Sequence, residues 1–570
     1  MKTKQIIMGV LSLLLFSVGC SKSFLDKTPQ GELTGEQIDS KDGVEGLLIG
    51  AYGILNGNRD GTWGNYASAP SQWLFGEVTA DNAHKGSEES DQPSMSVVEL
   101  LQVNPANTNV HVMWRVYYEG VQRCNMVLKG LKRDQEGAKT ISAARALEIE
   151  AETRMLRGHY YFYLWRVFKN IPWVDETMTE EQRRVEPNDK DVFPLFQKDI
   201  QFAVDNLPEG KINGEKGRMD KRIAKAYLGK LFLYKKQFSL ALPLFEELLQ
   251  GQNLIAMPFQ DNFNVEKEDG PEALFVAKHA INSNGSGDNA NVGDMLSGLY
   301  GTAPVSCCGF YQPTIDLVNA YRVDEDGLPF LDEGYRDSPY VSDFGLTEAE
   351  KKVYTLNDSL RFDPRLDYTV GRRGVPYLDY GVMPGDAWIR ASSYAGPFVG
   401  IKTMVYKQQF ASYTVPGMNH VTALDVNIIR LADVVLMAAE CAIEEGDLAK
   451  ALRYVNTIRA RAAKLPAKVV NGKPTADYIV GTYLSFPNAD YARKAVRMER
   501  RLELAMEGHR FYDLVRWDIA TDVIRSFATF ESKYLSAYKD KQYRPINALF
   551  PIPQEEIDRS DKVLKQNPGY

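Results

Sequence analysis

Residues 224–249, "AKAYLGKLFLYKKQFSLALPLFEELL", carry a pattern that returns in residues 434–462, "VVLMAAECAIEEGDLAKALRYVNTIRARA". In both segments small and bulky apolar residues recur at helical spacing, and a short polar stretch divides the segment into two halves. Small residues let two antiparallel helices approach closely, while bulky residues fill the groove between them. Each segment is therefore predicted to form a helix-turn-helix unit.

The spacing of these residues matches the tetratricopeptide repeat, a helical hairpin of about 34 residues. The small and bulky positions of that repeat are filled by Leu228, Gly229, Phe232, Ala241 and Phe245 in the first segment, and by Ala438, Ala439, Ala442, Ala451 and Val455 in the second. Because one such unit cannot bury its apolar face alone, further units are expected to stack on these two. Stretches with helical period predict four units, near 143–168, 222–250, 428–461 and 496–517. The aromatic run within 159–168, "HYYFYLWRVF", cannot share one helix face, so most of its rings are expected in the core.

The rest of the chain is rich in loops. It has 570 residues, 44% of them hydrophobic, which is typical of a folded protein. Insertions near 56–110 and 255–425 combine glycines with aromatic residues, Tyr300 among them, and show little sustained period. Long loops in compact proteins are usually functional. The net charge is −8, and the 67 basic residues are spread along the chain, so a nucleic-acid partner is not expected.

The N-terminus has the features of a secretion signal. Lys2 and Lys4 precede an uncharged apolar run, and Gly19 and Cys20 follow it. The run is too short to span a membrane. We predict a signal peptide over 1–19, a single domain over 20–570, and a Cys20 that becomes lipid-modified and anchors the protein to a membrane. The alternative is an ordinary secreted protein in which this cysteine occurs by chance.

Four more cysteines, Cys124, Cys307, Cys308 and Cys441, have the spacing of neither a zinc site nor a disulfide scaffold. The adjacent Cys307 and Cys308 allow a vicinal disulfide, but two free buried thiols are the favoured interpretation.

Catalytic patterns are absent from the sequence. The six histidines have no metal-ligand spacing, and no nucleophile elbow occurs. Glu77 and Asp81 are four residues apart, but a chain with 75 acidic residues has many such pairs. We therefore expect no enzyme, no catalytic residue, no metal site and no cofactor. The acidic loops 286–294 and 324–327 leave a structural calcium ion as an alternative, with solvated turn acids favoured.

Several segments together resemble the SusD/RagB family of Bacteroidetes outer-membrane lipoproteins. After the lipobox-like Cys20 come "SKSFLDKTP" (21–29), "EVTADNAHKG" (77–86), "IIRLADVVLMAAECAIEEGDLAKALRYVNTIRARA" (428–462), "MERRLELAMEGHRFYDLVRW" (498–517) and "FPIPQEEIDRSDKVLKQNPGY" (550–570). They occur in the family's order. The resemblance implies a mainly α fold, with four tetratricopeptide-type helix pairs packed against an irregular ligand-binding half.

The resemblance also implies a function. Members are cell-surface lipoproteins of the outer membrane that bind glycan and deliver it to a TonB-dependent, SusC-like transporter, and they are not enzymes. Starch-binding relatives place Trp residues after the segment matching "TADN", whereas residues 83–94, "AHKGSEESDQPS", contain none, which makes a starch-like ligand less expected. Because some members handle peptides, a tetratricopeptide scaffold that binds peptide or protein for uptake remains the alternative.

Ligand contacts are predicted among the loop aromatics and their polar neighbours, because sugars stack on exposed rings and form hydrogen bonds around them. The predicted ligand-binding residues are Asp60, Trp63, Tyr66, Cys307, Cys308, Tyr311, Arg372, Arg373, Trp388 and Tyr394. Trp63 and Trp388 each have charged neighbours, and a bridged Cys307–Cys308 would offer a rigid apolar plate. Trp73, followed by an apolar cluster, is expected in the core.

Overall fold

The structure of the protein is a computed structural model that describes residues 38–57 and 66–570. The predicted signal peptide and the predictions for Cys20, Asp60 and Trp63 lie outside these ranges. The described chain is mainly helical, which confirms the expected fold class.

The α-helices of the described residues are α1 (Lys41–Tyr52), α2 (Pro93–Glu99), α3 (Thr108–Glu136), α4 (Ala143–Phe168), α5 (Glu180–Arg184), α6 (Phe193–Asn206), α7 (Lys221–Tyr234), α8 (Phe238–Leu249), α9 (Ile315–Ala320), α10 (Glu348–Lys352), α11 (Leu366–Thr369), α12 (Ser392–Ala395), α13 (Phe410–Tyr413), α14 (Leu431–Glu444), α15 (Leu448–Ala462), α16 (Ala489–Leu504), α17 (Arg510–Arg516), α18 (Ala520–Glu531) and α19 (Gln554–Arg559). In these parts of the chain, no helix is both long and apolar enough to cross a bilayer.

Within residues 38–57 and 66–570 the strands are short and form six two-stranded sheets. They are β1 (Ala83–Gly86), β2 (Ala273–Ala277), β3 (Phe310–Pro313), β4 (Arg361–Phe362), β5 (Val370–Gly371), β6 (Val399–Gly400), β7 (Thr414–Val415), β8 (Met418–Thr422), β9 (Val426–Arg430), β10 (Val469–Val470), β11 (Lys473–Pro474) and β12 (Asp477–Tyr478). The antiparallel pairs are β1–β3, β2–β9, β5–β6, β7–β8 and β10–β11, and β4–β12 is parallel.

The longer helices pack side by side in a continuous array. The order of neighbours is α1, α3, α4, α6, α7, α8, α14, α15 and α16. Within the pair α7–α8, a Cβ added to Gly229 would lie 2.5 Å from the ring of Phe245, so only glycine permits this approach. Leu228 and Ala241 of the same pair are buried. The helix-turn-helix pairs therefore have the close contact that their sequences predict, while the count of four repeats stays a prediction.

Helix α4 covers residues 143–168 without interruption. Its N-cap, Ser142, accepts a hydrogen bond from the backbone N–H of Arg145. The aromatic side chains that end the helix, from Tyr160 to Phe168, are all at most 6% exposed. They pack between helices, as the sequence indicates.

Residues 496–517 differ from the single helical stretch that their period suggests. Helix α16 ends at Leu504, and α17 begins at Arg510. In the intervening turn, Gly508 has φ +78° and lies so close to Ser71 that an added Cβ would meet its carbonyl oxygen at 1.9 Å. The Glu77 carboxylate accepts hydrogen bonds from the backbone N–H groups of Glu507 and Gly508. This long-range contact breaks the helix.

A buried ion-pair network joins the loop-rich half to the helices. Glu503 of α16 accepts hydrogen bonds from Arg365, Arg430 and Arg461, at 3.0 Å for Arg365 and 2.7 Å for Arg430. We use the name "buried network" for Glu272, Arg365, Lys402, Arg430, Arg459, Arg461, Glu499, Glu503 and Glu507. Its side chains are at most 6% exposed. Burial alone would raise the pKa of Glu503, but the surrounding guanidinium groups outweigh it and hold the pKa well below its usual range.

Candidate functional site

The candidate site begins where strand β1 ends. Strands β1 and β3 pair with Gly86 opposite Phe310, and the Ser87 backbone N–H donates to the carbonyl of Gly309. Gly86 has φ +81°, and a Cβ there would lie 2.6 Å from the Gly309 oxygen, so glycine is required. The pairing brings the loop after β1 beside the loop that precedes β3.

Arg390 connects these loops to a third one, which follows the short turn at Asp386–Trp388. Its guanidinium donates to Glu88 at 2.7 Å and to Asp91 at 2.5 Å. It also donates to the Ser87 hydroxyl, which in turn donates to Asp91. The Arg390 side chain is 24% exposed, so this cluster lies at the surface.

Tyr300 lies over this guanidinium. The Arg390 Cζ atom is 5.2 Å from the centroid of the Tyr300 ring, within the range of a cation–π contact. The Tyr300 backbone N–H donates to the carbonyl of Trp388, which holds the two loops together. Tyr300 is 36% exposed, so part of this aromatic residue is accessible to solvent. In the sequence Tyr300 stands among the loop aromatics, but it is not one of the predicted ligand contacts.

Cys307 and Cys308 are joined by a disulfide next to Tyr300. This corrects the favoured interpretation of two free buried thiols, because the pair is bridged and only partly buried. The Cys307 backbone N–H donates to Leu299, and the Gly309 N–H donates to Gly298. The two sulfur atoms thus belong to the loop that carries Tyr300.

Tyr394 and Tyr66 lie around this cluster. The buried Lys85 ammonium is 5.1 Å from the Tyr394 ring centroid and donates to the backbone carbonyls of Glu88 and Asp91. Burial and the neighbouring Asp91 carboxylate raise the pKa of Tyr66, and both tyrosines are partly exposed. The name "Arg390 face" is used below for Tyr66, Glu88, Asp91, Tyr300, Cys307, Cys308, Arg390 and Tyr394.

A charged cluster supports the face from inside. Both ring nitrogens of His84 lie 3.0 Å from carboxylates, Nδ1 from Glu99 and Nε2 from Glu531. The ring stacks on Tyr538, which packs 6.0 Å from Tyr394 between centroids. Burial alone would lower the pKa of His84, but hydrogen bonds to the two carboxylates outweigh it and raise the pKa.

Two predicted ligand residues are buried, which corrects the expectation that their rings are offered to a ligand. Trp388 is 6% exposed and packs edge-on against Tyr377, 5.7 Å away, in a small apolar cluster under the loops. Tyr311 is 1% exposed, and its ring lies 5.5 Å from Trp73. Trp73 is itself buried, as expected.

The two predicted arginines occupy other places. Arg372 is fully buried and donates twice to Asp367, at 2.7 and 2.8 Å, so its prediction as a ligand contact is corrected. Arg373 is partly exposed and donates to Asp343 and to the carbonyl of Lys351, and its guanidinium lies against Gly385, just before the turn that carries Trp388. Tyr66, Tyr394 and the cysteine pair each lie near a part of the Arg390 cluster, whereas Arg372 and Arg373 form their hydrogen bonds with other residues.

The carboxylate pair considered for catalysis is structural. Glu77 and Asp81 are both fully buried, and burial raises the pKa of Glu77 to about 7. Asp81 forms ion pairs with Arg510 at 2.8 Å and Arg501 at 3.1 Å. Neither carboxylate is open to a substrate.

The acidic side chains of both loops accept hydrogen bonds from neighbouring protein groups. Asp324 accepts hydrogen bonds from the N–H groups of Asp326 and Leu328, which is typical of a solvated turn. Asp294 accepts from Ser71 and Asn291. Over 38–57 and 66–570, no group of three or more His, Cys, Asp or Glu side chains is arranged to hold a metal ion.

A separate cavity of about 670 Å³ lies on the helical array. It is lined by Trp114 and Tyr118 of α3, by Pro172, and by charged side chains that include Arg184 and Glu556.

Comparisons with known proteins agree with this architecture. A family model described as "SusD family" matches residues 271–570, and one described as "Starch-binding associating with outer membrane" matches residues 23–233. A SusD-like protein of Formosa agariphila is 24% identical over the full length of both chains. A SusD-like protein of Bacteroides ovatus is 23% identical over 91% of this chain and 83% of its own.

Solved structures share the fold at low identity. A laminarin-binding SusD-like protein aligns over 93% of this chain and 100% of its own, with a TM-score of 0.65 and 22% identity. Surface glycan-binding protein A from Bacteroides thetaiotaomicron, in complex with laminarihexaose, aligns over 93% of this chain and 99% of its own, with a TM-score of 0.62 and 18% identity. Because a family model covers more than half of the chain, the protein belongs to the SusD family.

Proposed function

We propose that the protein is a cell-surface lipoprotein that binds an oligo- or polysaccharide on the Arg390 face and delivers it to a SusC-like, TonB-dependent transporter. The observation that carries the proposal is the face itself, where an exposed tyrosine and a disulfide lie beside fixed hydrogen-bonding groups. Aromatic and sulfur surfaces suit the C–H faces of sugars, and the surrounding carboxylate and guanidinium groups suit their hydroxyls. The glycan-binding relatives named above support the same ligand class.

In this proposal the protein captures glycan and does not cleave it. The paired carboxylates Glu77 and Asp81 are buried away from the Arg390 face, where a hydrolase would need them beside the glycosidic bond. Binding and release then suffice for the function, with no cofactor.

The proposed location is the outer membrane, with Cys20 as the lipid anchor. The family description "associating with outer membrane" supports it. Acyl chains gain about 0.8 kcal/mol for each buried methylene group, so lipidation holds a soluble domain at a bilayer. A Cys20→Ala variant should move from the membrane fraction to the soluble fraction; a variant that stays membrane-bound contradicts the anchor.

Glycan binding is tested with affinity gels that contain laminarin, xyloglucan, galactomannan or peptide conjugates. We expect retention by at least one polysaccharide, and at least about tenfold weaker binding for Tyr300→Ala, as for an aromatic residue at the centre of an interface. Tyr454→Ala, on the distant helix α15, is the matched control, and thermal midpoints verify that each variant folds. Absence of retention by every polysaccharide, or equal binding by Tyr300→Ala, would refute the proposal.

Peptide binding by the helical repeats is the second candidate function. The cavity beside Trp114 and Tyr118 favours it, since helical repeat arrays present such concave surfaces to peptides. Retention by the peptide conjugates alone, lost in Trp114→Ala and kept in Tyr300→Ala, would establish this alternative.

A further inference from the structure

We infer that the Arg390 face selects uncharged glycan chains and excludes chains that carry carboxylates or sulfates. The inference rests on the proposed function and narrows its ligand class. It follows from how the charges of the face are arranged.

Arg390 is the cation of the face, and its charge is already matched. Glu88 and Asp91 hold its guanidinium at 2.7 and 2.5 Å, and Ser87 takes a further N–H. Tyr300 covers one side of the guanidinium plane. Two carboxylates already share the charge of Arg390, so an anionic sugar gains less from pairing with this guanidinium than with an unpaired one.

Lys85 does not supply a second cation to the surface. Its side chain is fully buried, and the ammonium donates to the backbone carbonyls of Glu88 and Asp91 from beneath. It lies between the rings of Phe310 and Tyr394, 5.5 and 5.1 Å from their centroids. The charge therefore stabilises the loop from inside.

The outward side of the face is negative. The Glu88 side chain is 44% exposed and that of Asp91 is 26% exposed, and the next residue after Glu88, Glu89, is exposed as well. His420 packs beside the backbone of Gly298, and burial lowers its pKa, which disfavours a positive charge there. Three carboxylates, those of Glu88, Glu89 and Asp91, outnumber the single exposed guanidinium of the face, and this excess of negative charge repels a polyanion within about one Debye length, 8–10 Å at physiological salt.

The inference predicts a difference between two forms of one glycan. Laminarin, xyloglucan and galactomannan are each prepared as a carboxymethyl derivative and as a hydroxyethyl derivative of the same degree of substitution. The two substituents are similar in size and differ in charge. For each parent glycan that the protein binds, we expect the carboxymethyl form to bind at least about tenfold more weakly than the hydroxyethyl form at 20 mM salt. This difference in affinity should become smaller at 500 mM salt, because salt screens the charges.

A Glu88→Gln/Asp91→Asn variant tests the cause of the difference. Removing both carboxylates leaves Arg390 unpaired, so the difference in affinity between the two derivatives should disappear or reverse at 20 mM salt. The control is Glu348→Gln, which changes an exposed carboxylate outside the face and should leave that difference unchanged. Thermal midpoints confirm folding, and the salt dependence of the unmodified protein is a second measurement that needs no variant.

The outcomes separate the inference from the proposed function. If the protein binds no parent glycan and no derivative, both the proposed function and charge selection are refuted. Charge selection alone is overturned if the carboxymethyl form binds as tightly as the hydroxyethyl form or more tightly. It is also overturned if the difference in affinity changes neither with salt nor in Glu88→Gln/Asp91→Asn. Glycan binding stands in both cases.

Discussion

Two of the arginine–carboxylate clusters in this protein, the buried network and the Arg390 face, lie in very different surroundings. In the first, Glu503 binds three arginines and is fully buried. In the second, Arg390 binds two carboxylates that are 26% and 44% exposed. The same chemical groups thus experience very different screening by solvent.

The buried network stabilises the fold, whereas the Arg390 face is available to contact a ligand. A buried ion that loses its partner is left with the full cost of its desolvation, so the buried network fixes how the loop-rich half sits on the helices. Exposed pairs add little to stability, about 0–1 kcal/mol each. The value of the Arg390 cluster therefore lies in the charge that it presents to a ligand.

The largest expected effect comes from breaking the buried network. Glu503→Gln leaves Arg365, Arg430 and Arg461 without their shared carboxylate and should lower the free energy of unfolding by about 3–5 kcal/mol. Urea denaturation followed by circular dichroism measures the change. Asp490→Asn removes an 88% exposed partner of Arg493 and is the control. A loss no greater than that of the control would contradict the role given to the network.

A smaller, pH-dependent effect is expected at His84. Its raised pKa means that the protonated ring stabilises the fold fully below the unfolded value, about pH 6.5, and that this contribution is lost as pH rises through the folded value. At pH 6 the free energy of unfolding of His84→Gln should be about 1–3 kcal/mol lower than that of the unmodified protein, as expected when buried polar groups lose their partners. Thermal midpoints from pH 5.5 to 9 should show this deficit shrinking as pH rises. A deficit that is constant with pH would show that the ring acts without its charge.

The smallest effect on stability is expected at the two ion pairs that Arg390 forms with Glu88 and Asp91. The stability of Glu88→Gln/Asp91→Asn should differ from that of the unmodified protein by about 0–1 kcal/mol per ion pair, because solvent screens both pairs. The same denaturation experiment measures it. A decrease in the free energy of unfolding as large as that of Glu503→Gln would mean that the Arg390 cluster stabilises the fold as the buried network does. That result would contradict the difference drawn between the two regions.

The sequence predicts the helical pairs well because their signal is local. Gly229 and Phe245 lie within one hairpin, and their spacing alone indicates the contact that the structure shows. The break after Leu504 has only Gly508 as a local signal, and the contact that fixes this turn comes from Glu77, more than 400 residues away in the chain. Partners in the buried network are also far apart in the chain, as Glu272 and Arg461 illustrate with a separation of 189 positions.

The candidate site could be predicted only in part. Tyr66, Tyr394 and the cysteine pair stand out as loop residues with sugar-binding chemistry, but the sequence does not indicate that Arg390 and Tyr300 complete the cluster. Trp388 shows the opposite error. Its polar neighbours suggest exposure, whereas packing against Tyr377, contributed by a different turn, buries the ring. Which side of a loop residue faces solvent is decided by such tertiary contacts.

A crystal structure of the protein with a retained oligosaccharide tests the central claim most directly. We expect a sugar ring on Tyr300 and the Cys307–Cys308 disulfide, with its hydroxyls within hydrogen-bonding distance of the Arg390 cluster. Sugar density in the cavity beside Trp114 and Tyr118, with the Arg390 face unoccupied, would contradict the claim.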